Sequence, residues 1–256
     1  MTYCLAIKVN DGLVFASDSR TNAGVDYIST FSKMHAFTPS SDRVIVLLTA
    51  GNLATSQAVV NGIQRDLDED KPDNLKSLKY LFDIAHYVGQ LSRRVQQEHG
   101  GAMQQSGINT EASFILGGQI AGRTPKIFQI YPQGNYITAS DETPYLQIGE
   151  TKYGKPILDR IIRAETTLED AARCALVSLD STMRSNISVG PPLELAVCPT
   201  DSLRLSQRIS LKYGTPLYAN LQKRWNEGLR RAFERLPRFD WETGTPTKGN
   251  DSKGGD

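Results

Sequence analysis

Residues 2–20 read TYCLAIKVNDGLVFASDSR. An apolar run over residues 2–9 and a second over residues 12–17 flank Asn10-Asp11-Gly12. An Asp-Gly pair between two apolar runs favours a tight hairpin turn. We therefore predict that the chain opens with two strands joined by this turn, and Asp18 directly follows the second strand.

Blocks of strands alternate with pairs of helices along the rest of the chain. The spacing of apolar residues predicts paired helices over residues 53–67 and 75–98, a second pair over 153–163 and 168–183, and a last helix over 216–236. Strands are predicted between them, at 33–37, 43–49, 111–120, 126–131, 136–139, 145–148, 193–198 and 208–212. This order favours an α+β fold in which two stacked antiparallel sheets are covered by helices on both outer faces.

The composition is that of one globular domain with a short tail. The chain has 256 residues, of which 39% are hydrophobic, and this is enough for one large core. Residues 243–256 are rich in Gly, Lys, Asp, Thr and Pro, a composition typical of disorder. We therefore expect a single domain over residues 1–240 and a flexible tail over residues 241–256.

Charge and hydropathy exclude several classes of partner. The net charge is +1 with acidic and basic residues interspersed, so neither nucleic acid nor a lipid surface is an expected partner. No apolar run approaches the roughly 18 residues that span a bilayer. The first residues alternate too strongly and are too few for a signal peptide.

Cys4, Cys174 and Cys198 lie in apolar stretches, which favours buried reduced thiols in a cytoplasmic protein. Neither a metal nor another cofactor is expected.

Thr2, Asp18 and Lys33 are the candidate catalytic group. A small residue after Met1 favours removal of that methionine, which would leave Thr2 with a free α-amine. An α-amine titrates at about pH 8, well below a lysine side chain, so part of it is unprotonated at neutral pH and can act as a base. A terminal threonine with its own amine is a known combination of nucleophile and base.

These residues and their neighbours resemble those of proteasome β-type subunits. The resemblance lies in Thr2, Asp18-Ser19-Arg20-Thr21, Lys33 and Ala50-Gly51, in this order and near the expected spacing. It is nearest to the bacterial Anbu (ancestral β-subunit) group, with HslV-type peptidases as relatives, and it covers residues 2–235. The resemblance implies the four-layer αββα sandwich of N-terminal-nucleophile hydrolases.

The resemblance also implies roles for individual residues. The hydroxyl of Thr2 would attack a peptide or amide carbonyl, and its α-amine would shuttle the proton. Lys33 would favour the ionised alcohol, and Asp18 would hold Lys33 by a charge-assisted hydrogen bond. The backbone N–H of Gly51 would donate to the developing oxyanion.

Two stretches depart from the family pattern. A Gly-Ser-Gly turn of the relatives aligns with Gly149-Glu150-Thr151, so that a carboxylate replaces a serine near the terminal amine and would raise its pKa. An Asp-x-x-Ser element appears as Ser185-Asn186-Ile187-Ser188, with serine at the position of the aspartate. Glu150, Ser185 and Ser188 are therefore weaker candidates for the site.

The resemblance implies further partners. A peptide or protein substrate would bind near Thr21 and Thr49, and copies of the chain would assemble into a ring or a helical stack. Any ATP-driven unfolding would come from a separate partner, because this chain has no phosphate-binding loop. The helix over 216–236 carries an apolar stripe with basic pairs beside it, and it either covers its own sheet or contacts a neighbouring subunit.

Three functions remain open from the sequence. The first is a self-assembling threonine peptidase. The second is a catalytically weak or silent scaffold subunit with the same fold, which the altered residues 149–151 and 185–188 would explain. The third is an amidase of the wider class, which would act on a small substrate as a monomer or dimer.

Overall fold

The computed structural model describes residues 1–22, 28–105 and 109–243. Its strands are β1 (Tyr3–Val9), β2 (Gly12–Asp18), β3 (Arg20–Asn22), β4 (Ile28–Thr30), β5 (Met34–Phe37), β6 (Arg43–Gly51), β7 (Ala112–Ile120), β8 (Lys126–Ile130), β9 (Tyr136–Thr138), β10 (Tyr145–Gly149), β11 (Leu193–Pro199) and β12 (Gln207–Leu211). Its helices are α1 (Leu53–Asp68), α2 (Leu81–Gln105), α3 (Lys155–Ile161), α4 (Leu168–Ser185), α5 (Pro216–Glu234) and α6 (Asp240–Thr243).

The large strands form two antiparallel sheets. The first has the order β10-β1-β2-β11-β12 and the second the order β5-β6-β7-β8-β9. The predicted hairpin at the start of the chain is confirmed, with Val9 paired to Gly12. The first strand therefore lies inside its sheet, with β2 on one side and β10 on the other.

Three layers of apolar side chains separate four layers of backbone. Leu5 and Leu179 belong to the layer between the first sheet and helices α3 and α4. Phe15 belongs to the layer between the two sheets. Ile45 and Ile84 belong to the layer between the second sheet and helices α1 and α2. Both sheets are thus covered on both faces, which explains the nearly continuous apolar runs of their central strands. The predicted αββα sandwich is confirmed.

Helix α2 begins later than the apolar spacing predicted. The prediction placed its start at residue 75, whereas it begins at Leu81. The side chain of Asn74 accepts hydrogen bonds from the backbone N–H groups of Lys76 and Ser77, at 2.7 and 3.0 Å, and so forms a turn. Leu75 is buried although it lies in this turn, which is why it fits the helical pattern.

Three short elements were not predicted from the sequence. β3 and β4 pair with each other outside the two large sheets. Helix α6 lies at the start of the segment predicted to be a flexible tail, of which residues 244–256 lie outside the described part of the chain. Among the described helices, none has the length and apolar character needed to cross a membrane.

Candidate active site

The backbone of Thr2 is fixed by the sheet that it enters. Its carbonyl oxygen accepts a hydrogen bond from the N–H of Glu150, at 2.7 Å. Gly149 pairs with Tyr3 at the end of β10 and has φ +84°. A Cβ at Gly149 would collide with the Thr2 carbonyl oxygen. Only glycine therefore allows this close approach of the two chain segments.

Asp18 and Lys33 form a buried ion pair next to this strand end. The Lys33 ammonium lies 2.7 Å from Oδ1 of Asp18, and their side chains are 5% and 0% exposed. The same Oδ1 accepts the backbone N–H of Tyr3 at 3.0 Å, and Oδ2 accepts the N–H of Gly190 at 3.2 Å. Lys33 also donates to the carbonyl oxygen of Arg20, at 2.6 Å. One carboxylate thus links the residue after Thr2 to the lysine.

Opposing effects act on the ionisation of Asp18. Burial raises the pKa of its carboxyl, whereas the Lys33 ammonium and the N–H groups of Tyr3 and Gly190 lower it. All three hydrogen-bond partners are donors, and Lys33 has no acceptor to offer. Burial is the largest of these effects and keeps the pKa of Asp18 above its ordinary value, and the three donors offset part of that rise.

A cavity of about 250 Å³ opens at this end of the first sheet. Five predicted site residues line it, namely Thr2, Thr21, Lys33, Thr49 and Gly51. The lining also includes Met1, Arg20, Ala50, Leu53, Ser56 and Gly149. Asp18 is fully buried and does not line the cavity. The fold therefore brings together residues from both sheets and from the start of α1.

Gly51 is required by the local backbone at the cavity wall. It ends β6 with φ +103°, a conformation that favours glycine. A Cβ there would collide with the carbonyl oxygen of Glu111 on the neighbouring chain segment. The next residue, Asn52, caps helix α1 through its side-chain oxygen, which accepts the N–H of Thr55 at 3.1 Å.

The three weaker candidates have different positions. Glu150 is 8% exposed, and its Oε2 accepts a hydrogen bond from Nδ2 of Asn186 at 3.0 Å. Ser188 is half-buried and donates its backbone N–H to Oδ1 of Asn186, also at 3.0 Å. Ser185 is exposed at the end of α4. Asn186 is thus a contact residue that the sequence did not single out, and its place inside the stretch 185–188 was the one available signal.

The loop after α4 is fastened to the segment that carries Asp18. Ser19 donates its hydroxyl to the carbonyl oxygen of Pro192 at 2.5 Å. Arg20 donates to the carbonyl oxygen of Ile187 at 2.6 Å. Ser19 and Arg20 therefore hold this loop against the end of the strand that carries Asp18.

The charges of the site also act on the terminal amine. Burial and the Lys33 ammonium lower the pKa of the Met1 α-amine, and the carboxylates of Asp18 and Glu150 oppose this shift. Glu150 thus acts in the direction expected for a carboxylate, but it is outweighed by burial and by Lys33.

Within the described residues, no group of three or more His, Cys, Asp and Glu side chains is arranged to hold a metal. All three cysteines lie in the described part and are buried free thiols.

The four-layer sandwich, with a threonine one residue before its inner strand and a buried lysine–aspartate pair beside it, defines the N-terminal-nucleophile fold class. The sequence pattern of the proteasome subunit family matches residues 2–198. The chain belongs to the proteasome subunit family and, within it, to the Anbu (ancestral beta-subunit) group.

Solved structures and a curated relative agree with this assignment. Anbu from Yersinia bercovieri is 44% identical, with a TM-score of 0.87 over 93% of this chain and 98% of that one. The Anbu complex from Pseudomonas aeruginosa, solved as a helical assembly, is 47% identical, with a TM-score of 0.87 over 93% and 98%. Proteasome subunit beta 2 from Nitrosopumilus maritimus (strain SCM1) is 24% identical over 214 residues, which are 80% of this chain and 89% of that protein.

Proposed function

We propose that this protein is a threonine-type peptidase whose nucleophile is Thr2 after removal of Met1. The observation that carries the proposal is the position of the Asp18 carboxylate. Its Oδ1 accepts hydrogen bonds both from the N–H of Tyr3 and from the ammonium of Lys33. The residue after the nucleophile and the lysine are therefore held by one buried atom at the edge of the cavity.

The reaction would proceed in two steps. The α-amine takes the proton of the Thr2 hydroxyl, and the oxygen attacks the carbonyl carbon of a peptide bond. The charge that develops on the carbonyl oxygen is stabilised by the N–H of Gly51, and Lys33 favours the ionised alcohol. The leaving amine takes the proton from the α-amine, which leaves an ester on Thr2. Water then attacks the ester. This step releases the carboxylic acid of the product and restores the free hydroxyl of Thr2.

The cavity suits one side chain of an extended peptide. Its volume of about 250 Å³ is smaller than the roughly 300–1,000 Å³ of pockets for drug-sized ligands. Thr21 and Thr49 contribute to its wall, and Thr49 is buried. We assign both residues to the substrate pocket, where their methyl and hydroxyl groups would meet the substrate side chain.

Self-assembly into a ring or a helical stack is part of the proposal. Helix α5 buries only Tyr218, whereas Leu229 and Phe233 are 50% and 75% exposed. Exposed apolar residues along one helix are typical of a protein interface. The Anbu complex from Pseudomonas aeruginosa forms a helical assembly, and this supports the same arrangement here. We further propose a cytoplasmic location. If substrates are unfolded at the expense of ATP, a separate protein would carry out that step.

The second candidate function is a scaffold subunit without turnover. The observation that favours it is the burial of Glu150, whose backbone N–H donates to the carbonyl oxygen of Thr2 and which places a carboxyl group where the relatives have a serine. An amidase for small substrates is the third, and a monomeric or dimeric solution mass would support it.

Intact-mass spectrometry with a threonine-directed warhead tests the nucleophile. An epoxyketone forms its ring adduct only with a free amine and a hydroxyl on the same residue, and a β-lactone requires the hydroxyl alone. We expect an adduct on the Met-free wild type and none on Thr2→Ala. Thr151→Ala is the matched control, because Thr151 lies two residues from Gly149 without lining the cavity, and its adduct should form. Retention of Met1, or a Met-free protein without either adduct, would contradict the peptidase and favour the scaffold.

A further inference from the structure

A chain of buried hydrogen bonds begins at Tyr3, the residue after Thr2. The side chain of Tyr3 is fully buried, and its hydroxyl lies 2.7 Å from Oγ of Ser178 on α4. The same hydroxyl accepts a hydrogen bond from Nε2 of Gln147 on β10. Ser178 in turn donates to the carbonyl oxygen of Gly154, which directly precedes α3, at 3.0 Å. One phenol oxygen therefore connects β1, β10, α4 and the loop before α3.

The direction of each hydrogen bond in this chain follows from its donors. A serine hydroxyl has a single proton, and Ser178 donates it to the carbonyl oxygen of Gly154. The proton between Tyr3 and Ser178 therefore comes from the phenol, whose oxygen accepts the amide N–H of Gln147. Burial raises the pKa of the Tyr3 phenol, so it keeps this proton at neutral pH. Both hydroxyls thus donate once and accept once.

The space that the two hydroxyls occupy explains the glycine at position 154. The φ of Gly154 is −85°, an ordinary value that any residue can adopt. A Cβ on Gly154 would nevertheless collide with the hydroxyl oxygens of Tyr3 and Ser178. Glycine is therefore needed for the close approach of the loop to these hydroxyls and not for an unusual backbone conformation.

The loop over residues 150–154 also holds the peptide unit that joins Thr2 to Tyr3. The carbonyl oxygen of this unit accepts the backbone N–H of Glu150, at 2.7 Å. The N–H of the same unit donates to Oδ1 of Asp18, at 3.0 Å. The loop thus contacts Thr2 at its first residue, and at its last residue, Gly154, it is connected to the Tyr3 hydroxyl through the hydrogen-bond chain.

We propose that Tyr3 is a positioning residue whose hydroxyl, held between Gln147 and Ser178, fixes the loop over residues 150–154 and through it the placement of Thr2 at the cavity. The inference rests on the proposed function, since it concerns the nucleophile of that reaction. Tyr3 does not line the cavity, so it acts through Thr2. A displacement of about 1 Å can slow a positioned reaction about 10²-fold. Loss of the hydroxyl should therefore slow the attack of Thr2 more than it weakens binding.

The test compares two buried tyrosines. Tyr3→Phe removes the hydroxyl and keeps the ring. Tyr218→Phe is the matched control, because Tyr218 is 1% exposed and its hydroxyl donates to Oδ1 of Asp180 at 3.0 Å, a bond that joins α5 to α4. Urea unfolding should show a loss of stability in both variants, since each leaves buried polar partners without a hydrogen bond.

Only a positioning role predicts different reaction rates for the two variants. Epoxyketone adducts are followed by intact mass at a series of warhead concentrations, which separates the maximal rate from the concentration that gives half of it. We expect Tyr3→Phe to lower the maximal rate about 10- to 100-fold at an unchanged half-maximal concentration, and Tyr218→Phe to change neither. Ser178→Ala breaks the chain at its next hydroxyl and should lower the rate in the same way, which keeps the test decisive if Tyr3→Phe does not fold. Equal maximal rates in the wild type and the folded variants, or an equal fall in Tyr218→Phe, would overturn the proposal.

Hydrogen exchange separates this inference from the proposed function, because it requires no adduct. The backbone N–H of Glu150 is bonded to the carbonyl oxygen of Thr2, so its exchange reports how firmly the loop holds that residue. Mass spectrometry of peptides over residues 149–154 should show faster exchange in Tyr3→Phe than in Tyr218→Phe. Faster exchange with no adduct in any variant or the wild type would leave the positioning role standing and overturn the peptidase. An adduct in the wild type, with the same rate and the same exchange in Tyr3→Phe, would leave the peptidase standing and overturn the positioning role.

Discussion

The ammonium of Lys33 lies 2.7 Å from Oδ1 of Asp18, and each side chain is at most 5% exposed. Asp18 ends β2 of the first sheet, and Lys33 directly precedes β5 of the second sheet. A buried ion pair often contributes little net stability because both charges lose their water, so stability alone is a weak reason for this pair. Its position at the cavity that Thr2 lines supports the catalytic role that we propose for it.

Removing one partner of this pair should destabilise the fold. We expect Asp18→Asn or Lys33→Met to lower the free energy of unfolding by about 3–5 kcal/mol, because each leaves the other residue buried without its counterpart. The double variant should lose less than the sum of the two. Urea unfolding measures all three changes. None of the variants should form the warhead adduct, and a fully reactive double variant would exclude a catalytic role for the pair.

Gly51→Ala should damage both the site and the fold. Its φ of +103° and the nearby carbonyl oxygen of Glu111 leave no room for a Cβ, so we expect more than about 1 kcal/mol of lost stability. Displacement of its N–H should slow adduct formation by about 10²-fold or more. Gly122→Ala is the control, because Gly122 also has positive φ, +71°, but an added Cβ meets open space. Adduct rates that fall equally in both variants would argue against an oxyanion donor at Gly51.

His35 should make stability depend on pH. Burial, with a further contribution from the positive charge of Arg208, lowers the pKa of this half-buried histidine below its ordinary value of 6.5. The unfolded chain therefore binds more protons than the folded one below about pH 6.5, and the free energy of unfolding falls as the pH falls through that region. His35→Gln should show a flatter dependence between about pH 7.5 and 5.5 in urea unfolding. The exposed His86→Gln serves as the control, and a slope that steepens in His35→Gln would be the contrary result.

The exposed face of α5 should govern assembly. Leu229→Glu and Phe233→Glu place charges on residues that are 50% and 75% exposed, so the monomer should keep its stability. We expect the solution mass to fall toward that of a single chain, measured by analytical ultracentrifugation. Ile137→Glu is a suitable control, because Ile137 is 45% exposed on β9 at the opposite side of the sandwich. An unchanged mass in both α5 variants would show that another surface holds the copies together.

The sequence predicted the helices and strands well where the spacing of apolar residues and the length of the segment favour the same kind of element. The strands over 43–49 and 111–120 and the helix over 168–183 were confirmed within a few residues. The start of α2 was wrong because Leu75 is buried in a turn that Asn74 forms, and burial alone does not distinguish such a turn from a helix. The hairpin of β3 and β4 has only three residues in each strand, too few for a periodic pattern.

The local pattern of apolar residues, turn residues and charges determined the αββα class and the candidate residues Thr2, Asp18 and Lys33. It did so because side chains point to one face of a strand or helix at regular intervals along the chain. Burial of that face therefore places apolar residues at the same regular intervals in the sequence. Only the tertiary structure decided which distant residues meet them. Glu150 reaches Thr2 through the pairing of β10 with β1, and Asn186 reaches Glu150 because α4 packs on the same sheet and ends there. Such contacts depend on the register and packing of whole layers, which no single stretch of sequence specifies.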